Sequence, residues 1–253
     1  MLSAVSPRIT GNRGRAPVGR GVMSFDLAVW FERTRLSRAE AVQKHLRMCE
    51  GSSGAAVGHP AVAGFYQSLI EEFPELPEQA GAVPDPASPW SAGLDVSEER
   101  VLMPMGWGRV AAVAPRVVAL AGEHGLVCFD PQAGVVHVPP GLRGTEASRL
   151  QSCVGLPVED PDPETVERAV RRLSAENWFV ILEGSLDRYV QVGTGSSAGV
   201  AAGGFAVEHR DGSPDRHYRC VLRDLDQVVA VFADFAHGAG AWSVEAEWEK
   251  LSM

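Results

Sequence analysis

Apolar residues come in two rhythms along this chain, and together they predict an alternation of helices and strands. Phe25-Asp26-Leu27-Ala28-Val29-Trp30-Phe31 is an apolar run of strand length. Ser37-Arg38-Ala39-Glu40 is a capping box, in which the serine and glutamate side chains each satisfy a free backbone N–H, so a helix is expected from there to Met48, ending before Gly51. Pro60 favours a helical first turn. After it, Val62, Phe65, Tyr66, Leu69 and Ile70 recur at helical spacing until Pro74 stops the run. Residues 74–97 are rich in Pro, Gly, Ala and Asp and read as a long loop anchored by Trp90. Val101 to Trp107 reads as a strand, and Val110 to His124 as a helix closed by Gly125. Residues 126–129 and 135–138 read as a strand pair across Asp130 to Gly134.

The pattern then breaks. Residues 139–162 are rich in Pro, Gly and polar side chains and read as a linker. Asp162 can cap a helix opening at Pro163, with Val166, Ala169, Val170 and Leu173 on its buried face. Four strands are expected at 178–183, 188–193, 200–208 and 217–222. Asp224 can cap a helix whose stripe is Leu225, Val228, Val229 and Phe232, ended by Gly238 and Gly240. A last strand from Trp242 to Leu251 alternates Trp242, Val244, Ala246 and Trp248 with Ser243, Glu245, Glu247 and Glu249.

The fold class expected from this order is α+β: two small domains, each a mainly antiparallel sheet with helices packed on one face. The expected division is an extension over 1–22, an N-terminal domain over 23–140, a linker over 141–162 and a second domain over 163–253. No internal repeat is present.

Charge narrows the partners. The net charge is −9, and residues 1–22 contribute four arginines and no acid. Without that segment, 19 basic residues face 32 acidic ones, a balance of −13. So acidic a body repels phosphate backbones, which argues against nucleic acid and for a basic protein partner. Residues 1–22 lack the apolar stretch of a secretory signal. They read as a disordered extension, with Met23 as the natural start. No apolar run approaches the roughly 18 residues of a membrane span. Cys49, Cys128, Cys153 and Cys220 are far apart and form no C-x-x-C pair; Cys128 and Cys220 lie in apolar strand-like runs. That usage fits a reducing compartment better than a disulfide framework.

Catalytic patterns fail on context. Gly195-Ser196-Ser197-Ala198-Gly199 matches the G-x-S-x-G nucleophile elbow, and Asp215 and His237 follow in triad order. The elbow needs a helix after its turn, whereas Val200 to Phe205 contains Gly203 and Gly204 and leads to another strand. A loop between antiparallel strands accounts for the glycines. Gly193, Gly195 and Gly199 lack the helix that phosphate binding requires, and no H-E-x-x-H occurs among the seven histidines. No catalytic residue, cofactor or metal site is expected. Glu245, Glu247 and Glu249 would point one way from the last strand, as a solubilising stripe or as a docking surface for a basic partner. Trp30, Trp107, Trp178 and Trp248 are expected in the core.

The order of helix, strand, Tyr189-Val190-Gln191-Val192-Gly193 strand, Gly212-Ser213-Pro214-Asp215-Arg216-His217-Tyr218 turn, the Leu225 to Gly238 helix and a closing strand with Trp242 and Trp248 resembles the first-named immunity-protein family of bacterial polymorphic toxin systems. The resemblance spans about residues 163–253. It implies an α+β fold, a cytoplasmic location and a non-enzymatic role: tight binding and neutralisation of a cognate toxin, often a nucleic-acid deaminase. The matched motifs look like determinants of fold, so no toxin-binding residue carries over. Residues 23–140 lie outside it and resemble actinobacterial domains to which no activity attaches.

Three functions remain open at this stage. The leading expectation is an immunity-type protein binding a cognate toxin, with Glu245, Glu247, Glu249, Asp215, Arg216 and Tyr218 as candidate partner-binding residues. A second is an enzyme or small-molecule binder using an interdomain cleft, with Ser197, His217 and Asp215 as its polar cluster. The third is a structural interaction module without a toxin.

Overall fold

The computed structural model describes residues 24–77, 88–145, 148–238 and 246–251. The expected extension over 1–22 lies outside these residues, as do Gly240, Trp242, Val244 and Glu245. Among the described residues, five helices and two mainly antiparallel sheets make an α+β fold. The chain divides into two compact units, one of residues 1–32 and 43–132, the other of residues 33–42 and 133–253. Among the described residues no helix is long and apolar enough to cross a membrane.

In the first unit, β1 (Phe25–Trp30) lies at the centre of the strand order β2-β3-β1-β4, where β2 is Asp95–Val96, β3 Arg100–Met105 and β4 Val127–Asp130. β1 pairs antiparallel with both β3 and β4. Helices α2 (Pro60–Glu72) and α3 (Val110–Glu123) pack on each other, α2 against β3 and α3 against β1 and β4. Val62, Phe65 and Leu69 of α2 are fully buried, as the helical spacing predicts. His59 caps α2 by accepting from the Ala61 N–H at 3.2 Å. Trp90 anchors its loop, donating from Nε1 to the Phe73 carbonyl at 3.2 Å. Trp107 departs from expectation: it is 53% exposed on a short 3-10 turn after β3, with its ring edge-on to Phe25.

The second unit begins with residues 33–42, which carry the start of α1 (Arg38–Cys49). The capping box forms: Ser37 N–H donates to Glu40 at 2.8 Å and Glu40 N–H to the Ser37 hydroxyl at 3.3 Å. Arginines tie this segment down. Arg35 donates to the Asp160 carboxylate and to the Asp160 carbonyl, each at 2.5 Å, and Arg38 pairs with Glu164 at 3.1 Å. Asp160 also accepts from the Gly144 N–H at 2.9 Å. β5 (Val135–His137) follows the boundary between the units.

The second sheet has seven strands in the order β12-β11-β10-β9-β8-β6-β7. They are β6 (Arg149–Ser152), β7 (Val158–Glu159), β8 (Phe179–Glu183), β9 (Arg188–Thr194), β10 (Phe205–Asp211), β11 (His217–Leu222) and β12 (Glu249–Lys250). The run read as a linker over 141–162 thus holds β6 and β7. Its Pro and Gly mask strands too short to show a period of two. β6 is recruited by β8, pairing from Arg149↔Glu183 to Ser152↔Val180. β10 starts later than expected, at Phe205, because Gly203 and Gly204 extend the loop before it.

Helices α4 (Pro163–Arg171) and α5 (Leu225–Ala236) pack on each other and on one sheet face. Asp162 caps α4 by accepting from Thr165 N–H at 2.7 Å, and Asp224 caps α5 by accepting from Asp226 N–H at 2.9 Å. The core they close holds Val166, Val170, Val180, Leu182, Val190, Val192, Val207, Val228 and Phe232. Ala246 and Trp248 pack against it. Cys128 and Cys220 are buried, and burial pushes both thiols up, Cys220 to about 11, so they act as small hydrophobes.

Gly193 shows why the Tyr-x-Gln-Val-Gly strand ends in glycine. A Cβ at 193 would meet the Ala198 methyl at 2.6 Å, because the 195–199 turn folds back over β9. Gly193→Ala is expected to lower stability by about 1–2 kcal/mol through this overlap. Adding Ala198→Gly should restore most of the loss in a urea denaturation series; a non-additive recovery identifies the contact.

Candidate functional site

The sheet face opposite α4 and α5 carries the polar side chains of β9, β10 and β11. Register brings them together: Gln191 and Arg219 flank Glu208, while Tyr189 and His217 flank Arg210. Glu208 accepts from Gln191 Nε2 at 2.8 Å and lies 3.4 Å from His217 Nε2 and 3.6 Å from Arg219 Nη1. The Tyr189 hydroxyl meets His217 Nε2 at 3.1 Å. The Arg210 guanidinium covers the Tyr189 ring at 5.4 Å from its centroid and pairs with Asp187 at 3.3 Å. Burial raises the Tyr189 phenol above its ordinary value, opposed by Arg210, so the hydroxyl stays protonated near neutrality. The Tyr189 hydroxyl is hydrogen-bonded to His217 Nε2, and the Glu208 carboxylate lies beside the same nitrogen, so the three form a half-buried polar cluster. It braces the strands and holds Arg210 in place.

That brace supports the end of the sheet where two turns meet. The β8–β9 turn runs through Leu186 and Asp187, both at φ 57, and closes with Arg188 N–H donating to the Ser185 carbonyl at 3.3 Å. Its neighbour, the β10–β11 turn, is bonded to it by Gly212 N–H donating to the Asp187 carbonyl at 3.2 Å. Gly212 is required there: its φ is +73 and an added Cβ would lie 3.2 Å from the Leu186 carbonyl. Ser213 then accepts from Asp215 N–H at 3.3 Å to close a single 3-10 turn over Pro214–Arg216. Asp211 pairs with both Arg188 and Arg216 at 3.2 Å. A groove of about 270 Å³ runs beside the tip, lined among others by Arg149, Glu183, Arg188 and Tyr189. Leucine in the left-handed region is disfavoured by about 1 kcal/mol relative to glycine or asparagine.

The candidate partner-binding residues do not form one surface. Asp215 and Arg216 are exposed at the turn end just described. Tyr218 faces the helices, stacked on His209 with ring centroids 5.6 Å apart. Glu247 and Glu249 are exposed near the sheet edge, where Glu249 lies across from Arg219, while Glu245 lies outside the described residues. The alternation expected of 242–251 is seen in part, since Ala246 and Trp248 turn inward and Glu247 and Glu249 outward, but the described strand is the short β12 alone.

The Ser197, Asp215 and His217 cluster is not assembled. Ser197 lies on the 3-10 turn between β9 and β10, and Asp215 on the turn between β10 and β11. These connections leave from opposite ends of β10; the first folds back as far as Gly193 and Arg219, and at about 3.3 Å per residue the two are still on the order of 10 Å or more apart. The elbow-like Gly195 to Gly199 stretch is a loop joining antiparallel strands, as its glycines suggest. Among the described residues, no group of three or more His, Cys, Asp or Glu side chains converges to hold a metal ion.

The sequence does not show the cluster of Tyr189, His217 and Glu208 or the Leu186 tip. The alternation of Tyr189 and Gln191 with Val190 and Val192 marks an outward row, but its partners depend on register. An apolar residue in a predicted hairpin turn, Leu186, was the available signal for the tip. Comparison of the chain with protein-family models, with curated proteins and with solved structures finds no match.

Proposed function

We propose that this chain is a non-enzymatic, cytoplasmic immunity-type protein that binds and neutralises a cognate basic toxin domain. The carrying observation is the end of the second sheet. Two turns bonded through Gly212 and Asp187, braced from beneath by Arg210 and Tyr189, hold Asp187, Asp215 and Arg216 outward on a rigid frame. A pre-ordered surface loses little entropy on association, which suits tight protein binding. The acidic balance of the chain and the order of elements over residues 163–253 support the same reading. Ser197 and Asp215 lie on different connections, at opposite ends of β10, which favours a binding role over the enzyme alternative.

The test begins with the full chain as bait in its native cells. The expected result is a stoichiometric partner with a basic domain whose expression alone arrests growth and whose co-expression with this chain does not. The association rate should fall about tenfold as ionic strength rises from low to physiological and beyond, since opposite charges steer the encounter. Absence of a protein partner, together with a small molecule that raises the melting temperature, would sink this reading and favour a ligand-binding role.

A further inference from the structure

The β8–β9 tip combines a disfavoured backbone with the most exposed large apolar side chain among the described residues. Leu186 is 84% exposed, against 53–63% for Leu46, Val57, Trp107, Val154 and Val221. A lone exposed leucine is ordinary on a protein surface. This one occupies the first central position of a two-residue hairpin turn in which both residues are left-handed, where Asn-Gly is the favoured pair. Leucine is both more strained and more apolar than folding asks for at that point.

The tip is also fixed in space. Gly184 N–H donates to the Arg188 carbonyl at 2.8 Å, and Gly212 N–H to the Asp187 carbonyl at 3.2 Å. Its charges are sorted by depth. Arg188 is drawn back with its guanidinium 5.5 Å from the centre of the Phe235 ring, and Arg210 lies over Tyr189 with 17% of its side chain exposed. Their carboxylate partners are further out: Asp187 is 52% and Asp211 41% exposed, and Asp215 is exposed as well. Arg216 is the outward base of the group, at 57%. These three carboxylates are matched by three guanidiniums; with Arg149, Glu159 and Glu183 of the adjoining groove the count is five carboxylates to four guanidiniums, a slight acidic excess at this end of an acidic chain.

We infer that Leu186 is the anchor of a docking surface, entering an apolar pocket on a basic partner protein, with Asp187, Asp211 and Asp215 as the rim that faces its cationic groups. This rests on the binding reading above and gives it a location. A rigid apolar knob in a charged, slightly acidic ring fits a pocket lined by aliphatic side chains and rimmed by Lys or Arg. The rim sets the encounter rate, and burial of the leucine sets the residence time.

The experiment uses the full chain and the partner recovered with it, expressed separately. Leu186→Asn places a residue that tolerates the left-handed conformation at the tip. It is expected to raise the melting temperature by roughly 2–4 °C and yet weaken binding of that partner by about 100-fold, mainly through faster dissociation. Val154→Asn removes a comparably exposed apolar side chain elsewhere on the same unit and should change the affinity less than about threefold. Asp215→Lys should slow association about tenfold without moving the melting temperature. Gain of stability with loss of binding cannot come from misfolding, so the two readouts together isolate the anchor. Equal affinity of Leu186→Asn and the unaltered chain overturns the proposal. If the partner arrests growth and is neutralised equally by Leu186→Asn, the anchor is wrong and the immunity reading stands. If the partner binds through Leu186 but its expression is harmless, the anchor stands and the immunity reading falls. Recovery of no protein partner overturns both.

Discussion

Replacing Arg35 by alanine is expected to destabilise the second unit by about 3 kcal/mol, the range for removing one member of a largely buried ion pair. Asp160 is the reason. Its side chain is 12% exposed, its backbone is left-handed at φ 50, and it accepts from Arg35 and from the Gly144 N–H. Without Arg35 the carboxylate would remain desolvated with one backbone donor. The 33% exposure of Arg35 keeps the loss near the lower end of the range. Arg35→Lys should be intermediate, about 1–2 kcal/mol, because an ammonium cannot span the Asp160 carboxylate and carbonyl as the guanidinium fork does. Urea denaturation followed by amide exchange locates the effect. Protection should fall in residues 33–42 and in β6 and β7, which flank Asp160. A loss below about 0.5 kcal/mol would show the pair to be solvated and the argument wrong.

The second large effect is acid sensitivity through His137. This imidazole is 6% exposed at the end of β5, and its Nε2 has no hydrogen-bond partner among the described residues. Burial, reinforced by the nearby Arg143 charge, pushes its pKa down from 6.5 to about 4. The unfolded chain therefore takes up a proton at higher pH than the folded one. Stability should be undiminished by this group above pH 6.5, drain away as the pH falls from 6.5 towards 4, and level off below 4. The share lost by pH 4.5 is about 2–3 kcal/mol. His45 and His209 are lowered by burial as well and add in the same direction. His137→Phe keeps a planar ring and removes the titration, and comparing each protein with itself at two pH values cancels the effect of the larger ring. Denaturation at pH 7 and pH 4.5 should show the variant losing about 2–3 kcal/mol less than the unaltered chain. Equal losses would mean that water reaches the imidazole.

Local features are legible in the sequence, and distant pairings such as Arg35 with Asp160 are not. Asp162 and Asp224 read as helix caps and cap their helices, because capping is a local event that needs a short side chain next to a free N–H. The stripes Val62–Phe65–Leu69 and Val228–Phe232 were readable for the same reason: a helix writes its buried face into spacing a few residues long. β6 and β7 were not legible. Two to four residues carry no period, and pairing with β8 is a choice made by a strand some thirty residues away. Arg35 carries no local signal, since its partner is 125 positions distant. Trp107 was expected inside by its residue type, but the strand before it ends at Met105 and the 3-10 turn carries the ring outward.

The candidate site divides along the same line. By itself the sequence determined the helices, their caps, most strands, the antiparallel α+β character and the acidic balance, since each follows from neighbours in the chain or from composition. It also lacks, after Gly195 to Gly199, the helix that a nucleophile elbow needs. Tertiary structure decided which side chains meet. Strand register placed Glu208 between Gln191 and Arg219 and sent Tyr218 to the face opposite Glu249. It put Ser197 and Asp215 at opposite ends of β10, and it joined the Leu186 turn to the Gly212 turn. A strand's alternation says which residues share a face. Which strand lies alongside, and in what register, is set by long-range burial and pairing that no local pattern encodes.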